Sequence, residues 1–511
     1  MKLLGIDIGT SGVKVILLNP DGSVAANVTR EYPVFSPHPL WSEQNPEDWW
    51  RATCQGVSQA LAQSGASADE VAGVGFSGQM VGLVVLDQTG QPLRPCILWN
   101  DQRSGEVTDE LTERIGLNRI LALTSNPLFA SFVAPKIVWL RKNEPAVYAR
   151  IRHVMMPKDY VRYRLTGQIG TEVSDASGTC LFSVRDRRWS HDMAEAMEIP
   201  TQWLPPCVES EDVVGQVTPQ AAGQTGLCAG TPVVAGAGDQ PAQALGSGIV
   251  RPGFCSVTIG TSGVVFAQSE RHMEHPRGLL HAFCHSVRDQ WYLMGVMLSA
   301  GGSFQWLRDV LGEAAPTSYD QMTAQAALAP AGCEGLVFLP YLTGERVPHS
   351  DPSARGGWIG LTRRHRLPHL VRAVMEGISF GLLDSLNLMR ELGMTVEQVY
   401  ASGGAARSPF WRQMLADVFG TGLVTTNVAE GAAFGAAMLA GIGTKVFSSA
   451  ADASDAMIQV TSRCDPVTQT AAVYAENYAI YRPLYGQLKS SFHTMTEAAA
   501  RQHSSSSEAG E

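Results

Sequence analysis

Two aspartates stand where this chain could move protons and hold phosphate. Asp239 lies in Gly236-Ala237-Gly238-Asp239-Gln240-Pro241, directly after an apolar run over 233–235 that reads as a strand. The glycines let the backbone turn sharply, which presents the carboxylate at a strand terminus. A carboxylate so placed can accept a proton from a hydroxyl, the step that phosphoryl transfer to an alcohol requires. The plainer alternative is an N-cap for a helix over 241–246. Asp7 precedes a Gly-Thr-Ser-Gly turn and suits Mg²⁺ beside a polyphosphate, held directly or through water. Its own alternative is to stabilise that turn.

The turn is spelled twice. Ile8-Gly9-Thr10-Ser11-Gly12-Val13 recurs letter for letter as Ile259-Gly260-Thr261-Ser262-Gly263-Val264. Successive N–H groups of such a turn point into one concavity, where the hydroxyls of Thr10, Ser11, Thr261 and Ser262 add further donors for phosphate oxygens. One copy alone would be an ordinary hairpin; two at equivalent places favour the phosphate reading. The copies differ at their edges, with Asp7 and Lys14 around the first where the second has Thr258 and Val265.

The elements that must position these residues follow from periodicity. Each turn is flanked by apolar, β-branched runs, a strand-turn-strand pattern. A third strand is expected over 23–34, then a helix opening on Asn45-Pro46-Glu47-Asp48, a cap, a proline at the first helical position and early carboxylates. Residues 71–76, 81–86 and 93–99 read as strands, 104–167 as mostly helical, and 186–230 as looser. Beyond the second hairpin come strands near 281–284, 291–297 and 336–339. Helices follow over 302–312, 368–392, 408–419 and 430–441, the last rich in Gly and Ala. Internal duplication of this kind fixes the architecture. The chain is expected to be an α/β protein of two actin-like ATPase (ribonuclease H-like) domains, with ligand in an interdomain cleft.

Bulk properties agree. A chain of 511 residues is too long for one core. The net charge of −10 argues against nucleic-acid and anionic-membrane partners. The nine cysteines are scattered and never spaced C-x-x-C, as expected of reduced core thiols rather than a zinc site. No run of 18 uncharged apolar residues and no leader pattern is seen, so a cytoplasmic location is expected. Gly73 to Gly78 fits G-x-G-x-x-G, but a hairpin pattern follows where a dinucleotide site needs a helix. His281 and His285 read as core or pocket-lining groups.

Residues 5–19, 38–50, 78–80, 97–103, 134–139, 157–160, 174–179, 338–349 and 402–417, in that order, resemble the FGGY family of carbohydrate kinases, and its xylulose-phosphorylating members most. The resemblance spans roughly 1–490 and implies an N-terminal, sugar-side domain over 1–245 and a C-terminal, nucleotide-side domain over 246–490; residues 491–511 read as a disordered tail. It implies ATP and Mg²⁺, with Asp239 as base, Asp7 and Asp239 at the metal, and Thr10, Ser11, Lys14, Gly260, Thr261 and Ser262 at the phosphates. Gly403, Gly404 and Ala405 match the nucleotide loop, ahead of a helix N-terminus. Gln79 and Met80 match sugar contacts, and Trp99 and Asn100 fall on the sugar side. Val81 stands where the xylulose pattern has histidine, and Gln240 where it has asparagine. A lost pocket hydrogen bond of about 1–3 kcal/mol changes substrate preference, so ribulose, erythritol or a glycerol-like polyol remain alternatives. An ATP-binding actin-like scaffold is the alternative of another class. A homodimer is the assembly common among such kinases.

Overall fold

The repeated hexapeptide forms a hairpin at both places. In the computed structural model, which describes residues 1–313, 317–429 and 431–508, Lys2–Ile8 pairs antiparallel with Gly12–Leu18 and Phe254–Ile259 with Gly263–Ser269. Val24–Glu31 continues the first hairpin, and Trp291–Met297 lies next in the second sheet. On the other flank of each leading strand runs a parallel one, Val71–Gly78 in the first case and Gln398–Gly403 in the second. Pro232–Val234 and Gly422–Thr426 follow in parallel. Both sheets therefore share one strand order, as the duplication requires.

The identical letters do not give identical hairpins. In the first, Asp7 faces Lys14 and Ile8 faces Val13. In the second, Thr258 faces Val264 and Ile259 faces Gly263, a slip of one residue. The turns close accordingly, by Gly9 N–H to the Gly12 carbonyl at 3.1 Å and by Gly260 N–H to the Ser262 carbonyl at 3.0 Å. A one-residue slip turns every side chain of the second strand over. Val13 is buried and Lys14 half-buried, whereas Val264 is half-buried and Val265 buried. The replacement of Lys14 by Val265 is thus explained by the backbone: position 265 faces the core.

The chain forms two units. The first comprises Met1–Pro252, Gln268–Tyr292 and Thr426–Gln459; the second, Gly253–Ala267, Leu293–Thr425 and the chain from Val460. The main crossing at Pro252–Gly253 lies near the expected 245/246 boundary, but two later segments return to the first unit. The small residues of the Gly431–Gly443 helix explain the second return. A Cβ on Gly5 would lie 2.0 Å from the Ala433 carbonyl oxygen, and one on Gly75 would lie 1.9 Å from that of Ala436. Gly435 meets the Ala242 carbonyl in the same way, at 1.9 Å, which ties this helix to Asp239–Gly246.

Local chemistry sets most other elements. Asn45 caps the Pro46–Ser64 helix by accepting the Glu47 N–H, with Pro46 in the first turn. Trp49, Val57 and Ala60 carry its buried face. Two expectations are corrected. The strands expected over 81–86 and 93–99 shrink to Val84–Leu86 and Cys96–Ile97: Val81 takes a left-handed φ of 57°, and Pro92 and Pro95 have no N–H for a ladder. The tail expected to be disordered from 491 instead continues the Thr468–Glu508 helix; residues 509–511 lie outside the described residues. Phe492 is buried there, Arg355 Nε donates to Thr496 Oγ1 and His493 pairs with Asp351, while the Glu-Ala-Ala-Ala-Arg run over 497–501 favours helix.

Two glycine substitutions should move stability in opposite directions. Gly75→Ala forces the Gly431–Gly443 helix off its strand and should cost about 1–3 kcal/mol or more. Gly223→Ala, in the Pro219–Thr225 helix with nothing within 4 Å of the new Cβ, should stabilise by about 0.5–1 kcal/mol. Thermal and urea unfolding of both variants checks the pair of signs.

Candidate active site

The Val71–Gly78 strand sets the frame, because both aspartates flank its end. Asp7, on the neighbouring strand, and Ala237, at the start of the short strand Ala237–Gly238, are both in register with Ser77. Asp239 follows as the first residue of the Asp239–Gly246 helix, whose N-cap is Gly238. The alternative of Asp239 as N-cap is therefore set aside, and its carboxylate is left for other chemistry. Burial first, and then the charge of Asp7, push that carboxyl up to about 7, while the Gln240 amide, donating at 3.4 Å, acts against the rise. Asp239 is half-buried and Asp7 likewise.

A buried ionic cluster holds the backbone that presents Asp239. Lys158 Nζ lies 2.8 Å from Asp159, 3.2 Å from Glu172 and 3.4 Å from Asp175, with all four side chains fully buried. Burial acts against the Lys158 ammonium, but these three carboxylates hold it above its ordinary pKa. Burial pushes Asp175 up to about 8, against the pull of Lys158. From this cluster, Glu172 accepts the hydroxyls of Ser174 and Ser210, and Ser174 Oγ accepts the Gly238 N–H at 3.0 Å. Arg162 Nη1 donates to the Ala235 carbonyl at 3.0 Å, and the Ser210 carbonyl takes the Gly236 N–H at 2.9 Å. The segment leading into Asp239 is pinned at three points.

A second network gathers the sugar-side candidates. Gln79 Nε2 donates to Gln44 Oε1 at 2.8 Å, and Trp49 Nε1 donates to the same oxygen at 3.1 Å. Thr10 Oγ1 donates to Gln79 Oε1 at 3.2 Å and accepts Trp99 Nε1 at 2.9 Å. Gln44 Nε2 also donates to the Thr10 carbonyl at 2.6 Å. The Thr10 hydroxyl, expected at phosphate, is thus bound to two sugar-side candidates. Met80 packs against the Asp239 segment, since a Cβ on Gly238 would lie 2.8 Å from its sulfur; one on Gly178 would lie 2.5 Å from Val81 Cγ1. Asn100 is exposed and lines a separate hollow with His38, Leu40 and Trp41. Asp101 is fully buried and accepts the Ser42 N–H and the Arg103 guanidinium, a structural role.

In the second unit, the turn at Gly260 and Thr261 meets Gly404 and Ala405 at a cavity of about 590 Å³. Gly403 has φ 82° and lies so close to Ile259 that a Cβ would be 2.4 Å from its carbonyl oxygen; it shapes this junction without lining the cavity, and Ser262 does not line it either. The carbonyls of Gly260 and Thr261 accept N–H groups from the start of the Gly301–Gly312 helix, Gly301 at 2.9 Å and Gly302 at 2.9 Å. Thr258 Oγ1, at the position of Asp7, hydrogen-bonds Ser402 Oγ at 2.8 Å. Within the Gln268–Tyr292 segment of the first unit, His281 and His285 are buried, and burial lowers His285 to about 3, as expected of core groups.

Sequence reasoning missed Gln44, Lys136, Ser174 and the Lys158 cluster as supports of the site, and Phe304, Tyr319 and Ser408 as cavity walls. The available signal was a lone lysine within the apolar run 133–140 and a glycine pair, Gly301-Gly302, opening a helix.

The raised carboxyl of Asp239 predicts a stability effect. Its folded pKa lies above its unfolded one, so folding stability falls as pH rises from about 4 to beyond 7. Asp239→Asn should raise the melting temperature by a few degrees at pH 8 and by less at pH 5. Thermal melts at both values test this; an equal or inverted difference contradicts the raised pKa of Asp239.

With the geometry established, comparison with known proteins identifies the fold. Residues 2–246 match the N-terminal domain and residues 255–444 the C-terminal domain of the FGGY family of carbohydrate kinases. A xylulose kinase from Bacillus subtilis is 39% identical over 487 residues, covering 95% of this chain and 97% of that protein. One from Escherichia coli is 40% identical over 481 residues, covering 94% and 96%. The crystal structure of xylulose kinase from Rhodospirillum rubrum superposes with a TM-score of 0.92 at 31% identity, over 96% of this chain and 100% of that one. No described helix is long and apolar enough to cross a membrane. The α/β fold with its duplicated sheets is the two-domain fold of these enzymes, and the chain belongs to the FGGY family of carbohydrate kinases.

Proposed function

We propose that this carbohydrate kinase transfers the γ-phosphoryl group of ATP to a terminal hydroxyl of D-xylulose, giving D-xylulose 5-phosphate. The observation that carries the reading is Asp239: a carboxylate released from helix capping, pinned by its neighbours, and raised to about 7 by burial and by Asp7. A base is most effective when its pKa lies near the working pH. Asp239 takes the proton of the sugar hydroxyl as that oxygen attacks the γ-phosphorus; the bond from phosphorus to the β–γ bridging oxygen breaks, and ADP leaves with the electron pair. That the relatives are xylulose kinases supports xylulose as the sugar.

ATP is assigned to the cavity of the second unit. Gly404 and Ala405 allow close backbone approach there, and the Gly260-Thr261 turn offers a phosphate cradle. The first turn, with Ser11 exposed and Lys14 opposite Asp7, is proposed as a phosphate-binding turn of the first unit. For Mg²⁺ the donors are Asp7 and Asp239. Among the described residues no group of three or more His, Cys, Asp or Glu is arranged for a metal. Two hard carboxylate donors nevertheless fit an ion that keeps several waters and takes phosphate oxygens. When bound, Mg²⁺ supplies charge neutralisation at the phosphates.

Val81 carries the second reading. An apolar residue where the xylulose pattern has histidine, together with Gln240 where it has asparagine, supports a pentulose or polyol other than xylulose. Comparing kcat/KM across xylulose, ribulose, erythritol and glycerol decides between the two. For the base, Asp239→Ala should lower sugar-dependent turnover by about 10²–10⁴-fold. In the wild type, kcat/KM should fall as pH drops and Asp239 gains its proton. Near-normal turnover in Asp239→Ala, measured by coupled ADP release, sinks the assignment.

A further inference from the structure

Lys136 lies on the Val133–Asn143 helix and is fully buried. Its hydrogen-bond partners are main-chain carbonyls: Leu98 at 2.7 Å, Val81 at 2.8 Å and Ile97 at 3.5 Å. Taking an ammonium out of water is costly unless the site rewards it, and no carboxylate is among its direct partners here. Burial pushes it down to about 7, with Cys96 and Asp101 acting against that fall.

The carbonyls it holds belong to two segments that bear sugar-side candidates. Their short ladder ends at the Leu83–Ile97 bridge, where Leu83 N–H reaches the Ile97 carbonyl at 2.9 Å. Beyond that bridge, one segment carries Gln79, Met80 and Val81, and the other carries Trp99. The ammonium spans the gap. Val81 has φ 57°, a conformation that a β-branched residue keeps only when its surroundings impose it. At their tips the segments meet again through Thr10, which bonds both Gln79 and Trp99. A clasp at the base and a hydrogen-bonded bridge at the tip together define the spacing of these residues.

Resting on the sugar-kinase reading above, we propose that Lys136 is a positioning residue for sugar recognition, setting the distance between the 79–81 and 98–99 segments. It acts through the backbone, and none of its partners lines the cavity of the second unit. A lysine is suited to this because three donors leave one compact centre, whereas the planar fork of arginine has a different geometry.

The test compares wild type with Lys136→Met, which keeps the length without donors, and Lys136→Arg, which keeps charge and donors. Lys136→Met should raise the sugar KM about tenfold or more with the ATP KM within about twofold, and Lys136→Arg should shift the sugar KM less, in the same direction. Hydrogen exchange in the unliganded protein should quicken in peptides covering 79–83 and 97–101, and stay unchanged in those covering 236–242. If Lys136→Met does not fold, Lys136→Arg carries both arms. An unchanged sugar KM with unchanged exchange in those peptides, or a parallel shift in both KM values, overturns the proposal. If the wild type phosphorylates no sugar, the functional reading fails, and the exchange arm still judges Lys136.

Discussion

Two carboxylates flanking the end of one strand repel one another, and several contacts of the first unit hold them there. Asp7 is fixed by a strand paired on both sides. Asp239 opens a helix directly after a two-residue strand, a place that could readily relax away from a like charge. Three devices prevent it: the Ser174–Glu172 relay, the Arg162 contact with Ala235, and the glycine-to-carbonyl packing of the Gly431–Gly443 helix against Asp239–Gly246. The buried charges of Lys158 and its partners make sense in this light. An ionic cluster contributes little net stability over an apolar core, but it is directional, and backbone groups can be referenced to it.

Sheet and packing also divide the work. The central parallel strand places Asp7 and the Ala237–Gly238 strand by register, while the flanking helices need small residues to come near. Gly5 and Gly75 are required by space and not by φ, since their Cβ atoms would meet carbonyl oxygens of the Gly431–Gly443 helix. This accounts for a helix late in the chain belonging to the first unit. Closeness of that order rigidifies the region behind the site and makes it sensitive to single methyl groups.

Much of this was legible in the sequence where one local rule dominates. Asn45-Pro46 announces a helix start, the repeated turn announces duplicated hairpins, and a glycine-flanked aspartate after an apolar strand announces a presented carboxylate. Family resemblance added the order of the pieces. What stayed hidden depends on partners far along the chain. Lys136 and Ser174 act on backbone atoms of Val81, Leu98 and Gly238, and main-chain partners leave no mark in the letters. The left-handed turn at Val81 contradicts its own β-propensity and exists because tertiary contacts override it. The tail misled in the other direction, its serines masking a helix anchored by Phe492 and His493.

The slipped second hairpin has a wider meaning for the duplication. Aligning the halves by letters superimposes Lys14 on Val265, yet these side chains leave opposite faces of their strands. The structural counterpart of Lys14 is Val264. Divergence between the copies is therefore written into hydrogen-bond pairing as well as into residue identity. A hexapeptide can stay invariant while its neighbours acquire new surroundings. Copying Lys14 into position 265 would not recreate the first site in the second half; it would bury a charge.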